Sequence, residues 1–122
     1  MEGTIWETAN DPSPAGWRVP TMPEIATLLD TRKVSHEWVT QNGVDGRRFI
    51  DIATGNNIFL PAAGWRDYAN NGTLGRVGEV GFYWSADYSY PSAYRLGFPN
   101  GNLANLALMD TRYGFSVRCV AK

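Results

Sequence analysis

Cysteine is almost absent from this chain: Cys119 is the only one, so no internal disulfide can form. Histidine is as scarce, and any Ser-His-Asp or Cys-His device would have to be built around His36 alone. A zinc site takes several such ligands, and two candidates in the whole chain do not supply it. No apolar run approaches the roughly 20 residues that cross a bilayer, so membrane insertion is not expected. The start, Met1-Glu2-Gly3-Thr4-Ile5-Trp6, has neither a basic region nor an apolar one, and the expectation is that no signal peptide is present. That leaves an intracellular protein or a mature domain cut from a longer precursor. Charge of one sign is missing too, since a formal net charge of −1 gives no electrostatic case for nucleic acid or an anionic membrane.

What is present is punctuation. Thirteen glycines and seven prolines fall between short apolar runs, the pattern of a loop-rich fold with short strands. A length of 122 residues fits one domain, 1–122, and five tryptophans promise a real core. Asn10-Asp11-Pro12-Ser13-Pro14 reads as a turn, and Gly16–Thr21 as a short strand stopped by Pro20. Thr21 and Glu24 have capping-box spacing and Pro23 suits a first turn, so a helix is predicted from Met22 to about Thr31. A second helical turn is expected around Ser35–Thr40, anchored by Trp38. Beyond Asn42 the pattern changes to strands: Arg48–Ile52, a Thr54–Asn57 hairpin turn, Ile58–Leu60, a loop over Ala63–Thr73, then Val80–Ser85, Ala93–Phe98 and Gly114–Val120. The fold class predicted is α+β, with a core containing Trp17, Leu28, Phe59, Trp84, Tyr94, Leu96, Phe98, Phe115 and Val117.

Catalytic and metal-binding sets are thin. His36 reads as a surface or helix-flanking residue, and Cys119 as a buried small hydrophobe between Val117 and Val120. The carboxylates Asp45, Asp51, Asp67, Glu79, Asp87 and Asp110 are scattered and show no EF-hand spacing. Gly75, Gly78 and Gly81 do not precede a helix and make no phosphate cradle. No catalytic residue, metal ligand or cofactor is predicted, and the chain reads as a non-enzyme.

Residues 85–113 differ from the rest. They hold four of the six tyrosines, with clustered Asn, Ser, Asp and Gly, and no Lys, Glu, Gln or Trp. Such a mixture resembles a paratope, although a polar loop with structural aromatics has the same composition. Alternation turns Tyr94, Leu96 and Phe98 inward, and Arg95 and Gly97 outward. The flanking residues Asp87, Tyr88, Ser89 and Tyr90 on one side, with Asn100, Asn102, Asn105, Leu106, Leu108 and Asp110 on the other, complete the candidate ligand-binding set. Tyr88, Tyr90 and Arg95 are its expected anchors.

Five blocks in register carry a family resemblance: 10–21 (Asn-Asp-Pro-Ser-Pro-Ala-Gly-Trp-Arg-Val-Pro-Thr), 42–49 (Asn-Gly-Val-Asp-Gly-Arg-Arg-Phe), 58–66 (Ile-Phe-Leu-Pro-Ala-Ala-Gly-Trp-Arg), 81–86 (Gly-Phe-Tyr-Trp-Ser-Ala) and 112–120 (Arg-Tyr-Gly-Phe-Ser-Val-Arg-Cys-Val). They resemble the Fibrobacter succinogenes major paralogous domain family of bacterial surface proteins. The resemblance implies a C-type-lectin-like fold, related to formylglycine-generating enzymes and to the variable proteins of diversity-generating retroelements. In the latter, adenines of Asn-type codons are randomised, and the composition of 85–113 fits that rule with Met109 as a fixed position. The implied function is recognition of a protein or glycan on a cell or host surface, by a module displayed outside the cytoplasm on a cell or virion. A structural subunit of a pilus or phage fibre, or an enzyme on the formylglycine-generating scaffold, are the alternatives. Two departures stand out. Ser13 replaces the family cysteine whose implied partner is Cys119, giving up a bridge worth roughly 4–5 kcal/mol in the chain-entropy model. The chain before the Gly-Trp-Arg block is also short, as in a fragment of a larger protein. The calcium motifs of sugar-binding lectins and the paired cysteines of the oxidases do not match, so neither chemistry carries over.

Overall fold

A computed structural model describes residues 13–89, 91–99 and 104–121. Following β1 (Trp17–Arg18) comes α1 (Met22–Ala26), capped as its sequence predicts: Thr21 N donates to Glu24 Oε1 at 2.9 Å, and Glu24 N to Thr21 Oγ1 at 3.4 Å. The helix stops short of Thr31. A 3-10 turn takes over at Thr27–Leu29, where Thr27 Oγ1 donates back to the carbonyl of Glu24 at 2.6 Å. Such back-bonding weakens a helix. Asp30 is then extended and accepts from Arg32 N in a turn of its own.

The expected helical turn at Ser35–Thr40 is a strand. β2 (Val34–Gln41), β3 (Val44–Asp51) and β4 (Asn57–Pro61) form an antiparallel sheet in that order. Asn42 and Gly43, both at positive φ (52° and 79°), join β2 to β3. This is the Asn-Gly two-residue turn whose twist matches the strands it connects. Along β2, Ser35 and Glu37 are exposed while Val34, His36 and Trp38 are half-buried, a strand's alternation. The Thr54–Asn57 turn and its return strand fall where the sequence put them.

The expected loop over Ala63–Thr73 instead contains β5 (Trp65–Asp67), which pairs with β6 (Thr73–Gly75). A second three-stranded sheet is formed by β7 (Val80–Ser89), β8 (Ser92–Pro99) and β9 (Asn105–Asp110), antiparallel and in sequence order. β10 (Val120–Ala121) returns to pair with β1. Strands occupy 56% of the described residues and helix 10%. The fold is therefore mostly β, in several small antiparallel sheets, and the expected α+β, C-type-lectin-like domain with one or two N-terminal helices is overturned. The predicted strand Gly114–Val120 is corrected as well: it bridges β5 at Gly114 and β7 at Ser116, each at a single point, and only its end joins a ladder. The turn expected at 10–14 lies partly outside the described residues.

The core lies between β7–β8 and the β2–β4 sheet, with Ile25, Phe49, Leu60, Tyr83, Leu96 and Phe98 buried. Trp84 is buried as expected, on the opposite side of β7 from Tyr83. Leu28, Phe59, Tyr94, Phe115 and Val117 are half-buried, and Trp17 is 45% exposed, since a two-residue strand pair cannot cover an indole. Cys119 is half-buried and free.

One charge is wholly buried. Arg47 of β3 is 0% exposed and donates from Nη2 to the carbonyl of Pro99 at 3.0 Å, joining β3 to the end of β8. Its guanidinium lies 5.9 Å from the Trp38 ring and 6.0 Å from that of Phe98. Arg47 Nη1 is also 2.9 Å from His36 Nδ1. A guanidinium only donates, so Nδ1 accepts and the neutral ring carries its proton on Nε2. Burial, then the Arg47 charge, holds the His36 pKa below its ordinary 6.5.

Two outcomes are expected. A Cβ at Gly81 would come within 2.2 Å of Phe98 Cζ, and that ring is fully buried with no room to move. Gly81→Ala should therefore cost about 1–3 kcal/mol in denaturant unfolding, and adding Phe98→Leu should recover part of that loss; strictly additive effects would show that the two do not clash. Because the native state holds the His36 proton less readily than the unfolded chain, stability should be full above about pH 6.5 and fall as pH drops below it. Comparing denaturant midpoints at pH 7.5 and 5.5 checks this, and His36→Gln should flatten the dependence.

Candidate binding surface

Cross-strand register sorts the candidate residues by face. On one face of β7–β9 the rows are Phe82, Gly97, Asn105; then Trp84, Arg95, Ala107; then Tyr88, Ala93, Met109. Residues directly opposite share a face, so Tyr88, Arg95, Gly97 and Asn105 stand together. Leu106 and Leu108 lie on the other face, with Leu96 and Tyr94. Leu106 packs against the core, whereas Leu108 is 46% exposed. Ser89 is exposed at the end of β7. Tyr90, Asn100 and Asn102 lie outside the described residues.

Two candidates, Asp87 and Asp110, are committed to residues outside the candidate set. β7 carries a bulge between Trp84 and Tyr88, where the register with β8 shifts. Ala86 N there donates to the carbonyl of Pro20 at 2.7 Å, and Asp87 Oδ1 accepts from Met22 N at 3.0 Å, tying down the start of α1. Buried Ser85 steadies the bulge, with its Oγ donating to the carbonyl of Tyr94 at 2.9 Å and accepting from Asp87 N at 3.2 Å. Bulges redirect backbone bonds in this way. Asp110 accepts from Arg112 N at 2.9 Å and pairs with Arg112 Nη2 at 2.8 Å; the guanidinium holds its carboxyl below the usual range.

Arg95 is the centre of the face. Its Nη1 donates to Asn105 Oδ1 at 2.7 Å, and its guanidinium lies 4.9 Å above the Phe82 ring. Gly97 makes the room: a Cβ there would come within 2.6 Å of Arg95 Nη1 and 2.9 Å of Phe82. The face is thus held flat by a residue without a side chain, and Gly97 itself is buried beneath the arginine. Burial lowers the Arg95 pKa, yet leaves the group cationic at neutral pH. Among the described residues the bond to Asn105 is the one hydrogen bond of its five donors, and Nε is buried without a partner.

An aromatic ladder continues the face. Phe82 stacks on Phe115 at 4.9 Å, Phe115 on Tyr113 at 5.8 Å, and Tyr113 meets Tyr68 edge-on at 4.9 Å. Arg112 caps it 4.1 Å above Tyr68, so a guanidinium closes each end. Trp65 and Phe115 cover the β7 side. Toward β9 the face opens: Tyr88, Arg95, Ala107, Met109 and Tyr113 are half-buried, and Asn105 and Tyr68 are exposed. The sequence reading named neither Tyr68 nor Arg112 and Tyr113. Arg112 and Tyr113 sit in the distinctive segment, but Tyr68 is 44 residues from Arg112 and no local pattern links them.

Among the described residues no group of three or more His, Cys, Asp or Glu is placed to hold a metal. No helix there is long and apolar enough to cross a membrane. A family profile described as a domain of unknown function (DUF8237) matches residues 30–120. Neither a curated protein nor a solved structure matches the chain significantly.

Gly97→Ala should cost only about 1 kcal/mol, less than Gly81→Ala, because the first obstacle is the tip of a flexible side chain. Urea midpoints for the two variants measured side by side give the comparison; a larger loss at Gly97 would mean that the Phe82 ring behind the guanidinium cannot give way.

Proposed function

We propose that this chain, which belongs to the DUF8237 family, is a non-enzymatic recognition module that binds a protein or glycan through the open face of β7–β9. The observation that carries this reading is Arg95: a half-buried guanidinium on an accessible sheet face, oriented by Asn105 and Phe82, with donors to spare. Buried or half-buried Arg and Tyr side chains dominate binding energy at interfaces. A guanidinium already fixed by its neighbours loses little freedom when a partner's carboxylate or hydroxyl accepts from it. Tyr88 and Met109 flank it in the next row and supply apolar contact, and the Tyr68–Tyr113 pair extends the aromatic surface. Such a broad face suits recognition more than a reaction, which wants convergent titratable groups in a pocket. The resemblance of five sequence blocks to bacterial surface domains favours action at a cell or virion surface. The composition of 85–113 favours retroelement diversification of this segment.

The test is direct. Protein immobilised on beads is presented with glycan arrays and solubilised bacterial surface proteins, and captured ligands are titrated against variants. Tyr88→Ala and Arg95→Ala should each weaken binding by about 1–3 kcal/mol, tenfold or more, with unfolding midpoints little changed. Unaltered affinity in both variants would move the binding face elsewhere.

A further inference from the structure

Where α1, β4 and the C-terminal segment meet Tyr83 and Trp84 of β7, they leave a cleft of about 350 Å³. It falls within the size range of small-molecule sites, about 300–1,000 Å³. Its walls are apolar: Ile25 and Leu28 from the helical segment, Ile58 and Leu60 from β4, Leu96 from β8 and Val120 from β10. Charge is confined to Glu24 and Arg118. Glu24 is already committed, with both carboxylate oxygens on the Arg18 guanidinium at 2.5 and 2.6 Å. Arg118 is exposed and makes no hydrogen bond or ion pair among the described residues. The Arg18–Glu24 pair sums to zero, so Arg118 leaves one uncompensated positive charge beside an apolar slot.

We infer that this cleft binds an amphipathic anion, an unbranched aliphatic carboxylate whose chain lies against Ile25, Leu28, Ile58 and Leu60 and whose head pairs with Arg118. A cation at the cleft combined with branched aliphatic walls selects that chemistry. A neutral chain would leave Arg118 unanswered, and a small hydrophilic anion would leave the walls wet. A group the size of a water takes about 30 Å³, and a methylene is of that order, so the cleft accommodates roughly ten carbons. Arginine meets a carboxylate with two parallel hydrogen bonds, which fixes the head while the chain fills space. The site shares no residue with Tyr88, Arg95 and Asn105, so it stands or falls separately from the recognition face.

Decanoate, kept below its micellar concentration, is the probe. Titration followed by methyl NMR and calorimetry should show saturable binding with shifts at Ile25, Leu28, Ile58 and Leu60. Arg118→Gln should weaken decanoate at least fivefold and leave decanol binding unchanged, and Arg118→Lys, which keeps the charge but loses the paired hydrogen bonds, should fall between the native protein and Arg118→Gln. Ile58→Trp, which fills the slot, should abolish both ligands. If Ile58→Trp fails to fold, the decanoate–decanol contrast in the Arg118 variants decides alone. An absence of shifts at these methyls, or equal decanoate affinity in native protein and Arg118→Gln, overturns the proposal.

Discussion

Everything in this molecule is arranged around β7, a strand that has neighbours on both faces and both edges. Along one edge runs the ladder to β8. The other edge is satisfied piecemeal by irregular chain: Gly64 N donates to the carbonyl of Val80, Trp84 N to that of Ser116, and Ser116 N to that of Phe82, while Ala86 N reaches Pro20. A buried strand cannot leave these groups unpaired without a penalty of about 1–3 kcal/mol each. Three separated segments are therefore pinned along one line. Of the two faces, Gly81 and Tyr83 look into the core, and Tyr83 donates its hydroxyl to the carbonyl of Pro61 at 2.9 Å. Burial pushes that hydroxyl up to about 12, so it remains a donor across the physiological range. Phe82 and Trp84 look the other way, into the ladder built by Phe115.

This arrangement explains which parts of the fold were legible in the sequence. The Thr21–Glu24 cap, the Thr54–Asn57 turn and the strands at Val80 and Ala93 are local devices, and their signals lie within a few residues. β2 was also legible but misread: Trp38 suggested a helical anchor, whereas the alternation of Val34, His36 and Trp38 and the Asn42-Gly43 turn both specify a hairpin. β5 and β6 are three residues each, too short to show a period. Gly114–Val120 alternates like a strand, yet its bonds are divided between Arg66 of β5, at Gly114, and β7, at Ser116, so it forms no continuous ladder with either. Only the assembled structure could reveal that.

The candidate site divides along the same line. Composition marked out 85–113, and alternation correctly set Arg95 and Gly97 on the face away from Leu96 and Phe98. What composition could not see is that Asp87 serves Met22, 65 residues earlier in the chain. Nor could it see that β9 splits its residues between two surfaces, Asn105, Ala107 and Met109 on one and Leu106 and Leu108 on the other. A diversified segment built on such a strand would change the core-facing Leu106 as readily as the outward Asn105. Only outward positions could vary without loss of stability.

The pairing of β1 with β10 has a mechanical consequence. Trp17 lies opposite Ala121 and Arg18 opposite Val120, so the chain enters and leaves this ladder at the same end. Tension applied between those two points loads the ladder in peeling geometry, where hydrogen bonds break one after another, and not in shear, where they resist together. With two residue pairs and no covalent bridge at Cys119, the ends should part at small force, long before β7 gives way.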